Sequence, residues 1–203
     1  KLKEILPARP FRSILIKPRI YKALTVAGSD PSGGAGIQAD LKTFANFEVY
    51  GSAVITALTA QNTAQVGGIL PVAPDFIRRQ LEMVLDDLGP QPLKTGLIAD
   101  SASIRVVREE IARRGLREVV VDPVLVATSG DSLVTEDTVK ELKTLIGGAL
   151  LVTPNLEEAS KLTGVETRNL ADMKEAALQL YQTGVKNILV KGGHLLDDAT
   201  DLF

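Results

Sequence analysis

From Ala23 onward, short apolar runs rich in β-branched residues alternate with segments whose apolar residues recur at helical spacing. The runs are "ALTVAG", "SAVITALT", "PLKTGLI", "EVVVDPVLV", "ALLVTPN" and "KNILVKGG". "VITAL", "EVVVD" and "ILV" are continuous rather than alternating, as expected of strands covered on both faces. Between the runs, "PDFIRRQLEMVLDDL" carries Phe76, Ile77, Leu81, Val84, Leu85 and Leu88 at helical spacing, with Pro74 and Asp75 as its start. "DSASIRVVREEIARRG" puts Ile104, Val107 and Ile111 on one stripe and closes at Gly115. "TEDTVKELKTLIGG" and "NLADMKEAALQLYQTG" each open on a capping residue and end in glycine. Such alternation predicts an α/β fold: a three-layer α/β/α sandwich with a mostly parallel central sheet and right-handed crossovers. Ligands of these folds sit at the carboxyl ends of the strands, so the residues just after each run are the candidates.

Length and charge narrow the reading. The 203 residues suit one α/β domain or part of a larger one. A net charge of −2 argues against a nucleic-acid footprint. The absence of cysteine excludes a disulfide framework, a thiolate metal site and a cysteine nucleophile within the chain, and fits a cytoplasmic setting. No apolar run approaches the roughly 18 residues that span a bilayer. Residues 1–22 are basic, with Glu4 as the single acid. They read as an N-terminal extension or linker, as a short structured piece in which "FRSILI" is a strand, or as an organelle-targeting peptide.

The first strand runs into a glycine-rich turn, "AGSDPSGGAGIQAD". A Walker-type phosphate loop needs a lysine where this chain has Gly34, and the glycines do not match a dinucleotide fingerprint. The second strand ends in the amides Gln61 and Asn62 rather than in a ribose-binding acid. In the following helix Ile37, Leu41 and Phe44 form a stripe, and Asp40 falls on it. A carboxylate there either holds the backbone amides of the glycine turn or accepts N–H groups from a ligand. With Gln61 as a donor and acceptor nearby, the pair suits an amino-bearing heteroaromatic ring better than a phosphate.

Other strand ends add charge. Asp122 closes the most apolar strand, before Pro123. Asn155 and Glu158 stand one helical turn apart at a strand-to-helix junction. Asp122 and Glu158 are hard oxygen ligands suited to magnesium held largely through water and phosphate; first-turn capping is the other reading of Glu158. Lys191, beside two glycines, suits a phosphate contact. His194 is the single histidine and pairs with no base or nucleophile pattern, so it reads as a structural or minor contact residue. Lys94 is either a charge partner for Asp122 or a solvated side chain.

Taken together, "ALTVAGSDPSGGAGIQADLKTF", "VITALTAQNT", "KTGLI", "VVDPVLVATSGD", "VTPNLEEA" and "LVKGGHL" resemble the hydroxymethylpyrimidine and phosphomethylpyrimidine kinases of thiamine biosynthesis, within the ribokinase-like superfamily. The resemblance runs from Ala23 to about Leu195. It implies a kinase that moves the γ-phosphoryl of ATP to 4-amino-5-hydroxymethyl-2-methylpyrimidine and then to its monophosphate. It further implies that Gly28, Asp40 and Gln61 contact the pyrimidine, that Leu97 and Val124 line its pocket, and that Asp122 and Glu158 serve magnesium and phosphate. Asn155 and Lys191 fall at the nucleotide phosphates. The family often has methionine at the Leu97 position, and it suggests a homodimer. Residues 23–203 then form a kinase domain that is incomplete at its C-terminal side. The family's GTG motif, with its anion hole and catalytic base, is expected beyond Phe203. The alternatives are a pyridoxine or pyridoxal kinase, and a catalytically inactive domain that binds pyrimidine or nucleotide.

Overall fold

The computed structural model describes residues 20–125, 135–193, 195 and 199–203. "FRSILI", most of the basic N-terminal segment, the end of "VVDPVLVATSGD" and His194 lie outside the described residues. Strands β1 (Lys22–Ser29), β2 (Tyr50–Gln61), β3 (Val66–Pro71), β4 (Leu93–Thr95), β5 (Val119–Val121), β6 (Leu151–Val152) and β7 (Asn187–Ile188) form one sheet in the order β3-β2-β1-β4-β5-β6-β7. Every neighbouring pair is parallel except β2 and β3. The six apolar runs are the six parallel strands. β3 was not anticipated: it is the antiparallel return of a hairpin that pairs Ala57 with Pro71 and Gln61 with Val66.

The helices are α1 (Gly36–Asn46), α2 (Pro74–Leu88), α3 (Ser101–Arg113), α4 (Glu136–Gly147), α5 (Leu156–Thr163) and α6 (Leu170–Tyr181). Side-chain alternation along the strands separates the two faces of the sheet. Leu24 and Val26 of β1, Val54 of β2, and Leu93 of β4 enter a core with Ile77, Leu81 and Leu85 of α2, Ile104 and Val107 of α3, and Leu142 and Ile146 of α4. Thr25 and Gly51 point the other way, to α1: a side chain at Gly51 would meet Leu41 and Phe44 at 2.9 Å. Ile37 is buried, whereas Leu41 and Phe44 are half-buried because they rest on β2 at the margin of the helix contact. Phe76 does not belong to the stripe of α2; it is 57% exposed, and Ile77, Leu81 and Leu85 carry the contact. The continuous run of β5 is less symmetrical than expected. Val119 and Val121 are buried in the α2–α4 core, and Val120, on the face that α1 shares, is half-buried. A second cluster, around Leu156, Ala159, Met173, Ala176 and Val190, ties α5 and α6 to the end of the sheet.

Helix starts follow the sequence. Asp100, Thr135 and Asn169 cap α3, α4 and α6 by accepting hydrogen bonds from first-turn amides. Between α2 and α3, Glu110 is 1% exposed and accepts hydrogen bonds from Arg78 at 3.0 Å, Arg113 at 2.6 Å and Arg114 at 3.3 Å. Burial pushes its carboxyl up, but the bonds from Arg113 and Arg114 outweigh that and hold it below the usual range.

Candidate functional site

The carboxyl ends of β1, β2, β4 and β5 surround a cavity of about 210 Å³. Its wall includes Gly28, Gln61, Lys94, Leu97, Asp122 and Val124, with the first residues of the glycine turn and of α1. Of the residues expected at the acceptor site, Gly28, Gln61, Leu97 and Val124 therefore meet at one place. Gly28 and Leu97 are in tight contact: a Cβ on Gly28 would lie 3.1 Å from a Leu97 methyl. The carbonyl of Leu97 accepts a hydrogen bond from the buried Thr56, which fixes the chain after β4.

The turn "SDPSGGAG" is built around Asp30, which sequence reasoning passed over. Asp30 is 3% exposed. Its carboxylate accepts from the Ser32 amide at 2.8 Å, the Gly34 amide at 3.1 Å and the Ala35 amide at 2.8 Å, and from the Ser32 hydroxyl. The bond from the Ser32 hydroxyl, opposed by burial and reinforced by the three amides, holds the carboxyl below the usual aspartate range. Gln38 of α1 completes the brace, accepting from the Asp30 amide at 2.9 Å and donating to the Ser29 hydroxyl at 2.8 Å. Gly36 has φ +57°, and a side chain there would strike the Gly28 carbonyl. The role of holding the turn's amides, one of two open to Asp40, thus falls to Asp30. The signal was the D-P-S-G spacing, since an aspartate two residues before a serine commonly receives its amide.

Asp40 is turned to the sheet. Its Oδ2 accepts from the Thr25 hydroxyl at 2.6 Å and from the Lys94 ammonium at 3.1 Å. Lys94 is therefore neither the partner of Asp122 nor a free solvated side chain: it pairs with Asp40 and lines the cavity. Asp40 itself is not part of the cavity wall.

Beyond Asp122 lies a charged cluster. Lys191 donates to Asp122 Oδ1 at 2.8 Å, as does the Thr153 hydroxyl at 3.0 Å. A parallel bridge between Asn155 and Lys191 brings the ends of β6 and β7 together. Asn155 and Glu158 form a capping box: the Asn155 side chain accepts from the Glu158 amide at 2.8 Å, and Glu158 accepts from the Asn155 amide at 2.8 Å. Glu158 is 7% exposed. Burial raises its carboxyl above the usual range, against the pull of the Asn155 amide and of the Lys191 charge, and Asp122 adds like-charge repulsion. Asp122, Glu158 and Lys191 share one electrostatic neighbourhood. Among the described residues no group of three or more His, Cys, Asp or Glu side chains gathers as a metal cage, and no helix is long and apolar enough to cross a membrane.

A sequence profile of the phosphomethylpyrimidine kinase family matches residues 30–203. The hydroxymethylpyrimidine/phosphomethylpyrimidine kinase of Bacillus subtilis is 46% identical over 186 residues, covering 90% of this chain and 69% of that protein. A thiamine biosynthesis bifunctional protein of Geobacter sulfurreducens is 48% identical over 181 residues, covering 88% of this chain and 37% of that longer protein. In structure, the ADP complex of Bacillus subtilis pyridoxal kinase superposes with a TM-score of 0.83 at 36% identity, covering 90% of this chain and 71% of that one.

Proposed function

The chain belongs to the phosphomethylpyrimidine kinase family, and we propose that the protein transfers the γ-phosphoryl of ATP to 4-amino-5-hydroxymethyl-2-methylpyrimidine and then to its monophosphate, in thiamine biosynthesis. The observation that carries this reading is the double membership of Asp122. It lines the acceptor cavity, and it pairs with Lys191 in the charged cluster next door. An acceptor oxygen in the cavity and a phosphate at the cluster are thereby neighbours, which is the positioning that phosphoryl transfer requires.

In this reading Gly28, Leu97 and Val124 pack on the ring and exclude water, Gln61 offers one donor and one acceptor to its polar edge, and Asp40 supports that edge from behind the cavity wall. Lys191 and Asn155 meet the nucleotide phosphates. Asp122 and Glu158 would hold magnesium. Two carboxylates without a third acid suit an ion whose shell is completed by water and phosphate oxygens; bound there, it would neutralise charge on those oxygens. We assign the activity to the cytoplasm, where ATP is supplied, and the assembly to a homodimer. The exposed edge strand β3, with Val66 and Leu70 at the surface and Leu58 of β2 paired beside Leu70, supports the latter. Residues 23–203 form a kinase domain incomplete at its C-terminal side and residues 1–22 an extension or linker, of which Lys22 already belongs to β1.

The test is steady-state phosphoryl transfer by the full-length protein with ATP and magnesium. The hydroxymethylpyrimidine, its monophosphate and pyridoxal are assayed in parallel. A higher kcat/KM for the two pyrimidines is expected. A preference for pyridoxal, or no transfer to any of the three, overturns the assignment.

A further inference from the structure

One cation of the cavity wall has no part in the reading above. We infer that Lys94 is the group that meets the phosphoryl acceptor at this corner, and that Asp40 and Thr25 act as its anchor. The inference rests on the kinase reading.

Four observations carry it. Lys94 belongs to the cavity wall and Asp40 does not. Both hydrogen bonds to Asp40 fall on the same oxygen, Oδ2, one from Thr25 and one from Lys94. Thr25 is wholly buried in β1, so the sheet fixes the position of this anchor. The side chains of Lys94 and Asp40 are 25% and 17% exposed, so the pair is largely withdrawn from water and its geometry matters more than in a surface ion pair.

Gly96 opens the path. It stands two residues after Lys94 and so on the same face of its strand. A Cβ at Gly96 would lie 3.1 Å from the Lys94 ammonium and 2.9 Å from the Ala27 Cβ. With no side chain there, Lys94 lies along its own strand and reaches the carboxyl end. The sequence K-T-G is therefore a lysine with room to extend. Its ammonium has three donors and spends one on Asp40. The others suit an acceptor that brings lone pairs, such as a ring nitrogen or the hydroxymethyl oxygen. Lys94 is then a binding residue; Asp40 and Thr25 are positioning residues.

Kinetics of the full-length protein test this, with KM for the hydroxymethylpyrimidine, KM for ATP and kcat read separately. Lys94→Met should raise the acceptor KM at least about tenfold and leave the ATP KM within about twofold. Thr25→Val should raise the acceptor KM about threefold, and Thr25→Ser, which keeps the hydroxyl, should restore it. In the Lys94→Met background neither Thr25→Val nor Asp40→Asn should raise it further, because each acts through the lysine. The Lys94→Met, Asp40→Asn double variant replaces the ion pair by two neutral groups, so no buried carboxylate is left unpaired to unfold the protein. Asp40→Asn raising the acceptor KM by the same factor with and without Lys94 overturns the inference, as does an unchanged acceptor KM in Lys94→Met. If the wild type neither binds nor phosphorylates the pyrimidine, the kinase reading and this inference both fall; an active wild type with an indifferent Lys94 variant removes this inference alone.

Discussion

The ammonium of Lys191 lies 2.8 Å from Oδ1 of Asp122, although sixty-nine positions separate them in the chain. The pairing is made by the sheet. β5 ends one residue before Asp122, and the bridge between Asn155 and Lys191 carries the next two strands to the same level. Under the proposed function the charge that neutralises Asp122 would also receive a phosphate, so that nucleotide binding and release of Asp122 would be coupled.

Replacing Lys191 by methionine should therefore act mainly on the nucleotide. The KM for ATP is expected to rise about tenfold, as for loss of a charge-assisted hydrogen bond, with a smaller change in the acceptor KM. Steady-state kinetics with each substrate varied separately give the answer. An ATP KM unchanged in this variant would remove Lys191 from the phosphate site.

Glu158→Gln separates capping from metal binding. Glutamine can still accept the Asn155 amide at the third helical position, so the capping box persists and Tm should move by no more than about 2 °C. The magnesium concentration for half-maximal rate should rise roughly tenfold. A normal magnesium titration would leave Glu158 as a helix cap alone.

Most of the scaffold was legible. The boundaries of α2 coincide with the segment its pattern marks, because Pro74 opens it and Gly89 closes it. β3 was not legible, since "VGGILP" has two glycines, a proline and no buried position, and becomes a strand by hydrogen bonding to β2 alone. At the site, the rule that strand ends bind ligands singled out Gln61, while Gly28, Leu97 and Val124 came from the family resemblance; the structure brings all four together. The partners of the charged groups did not. Whether Lys94 meets Asp40 or Asp122 depends on which face of β4 it occupies and on the space over Gly96, neither of which a spacing argument contains. Asp30 escaped notice because it lies in the turn itself, where no periodicity operates.

Asp30→Ala should loosen the turn that forms the cavity mouth. Amides of Ser32, Gly34 and Ala35 lose their acceptor, and their hydrogen exchange should accelerate at least about tenfold, with the α2–α4 core unchanged. The pH dependence has a definite sign. The folded carboxyl is depressed, so its stabilisation is complete above the ordinary aspartate range and is lost as pH falls through the lower, folded value. Exchange protection in the wild-type turn should fall only at strongly acid pH. Protection that persists in the alanine variant would mean that Gln38, and Lys42 through its 2.8 Å bond to the Gly33 carbonyl, hold the turn without Asp30.

Glu110→Gln tests the junction of α2 and α3. It removes the charge that three arginines share at a nearly sealed position, and unfolding should become easier by about 2–3 kcal/mol; the partial exposure of Arg78 and Arg113 keeps this below the loss expected of a fully buried pair. Here too the folded carboxyl is depressed, so the difference between wild type and variant should be full at neutral pH and shrink as pH falls below the usual glutamate range. Denaturant melts at two pH values measure it. Equal stability at neutral pH would show that the network offsets only its own desolvation.

A parallel sheet has two unlike ends. Among the described residues the proposed site lies at the carboxyl ends, and the returns before β4 and β5 turn at Gly89 and Gly115, where an added Cβ would meet nothing within 4 Å. Those two returns are where the molecule can be written on. A peptide tag or a reporter domain inserted after Gly89 or Gly115 enters open solvent on the far side of the sheet from the cavity, whereas a single added methyl at Gly36 collides with the backbone of β1.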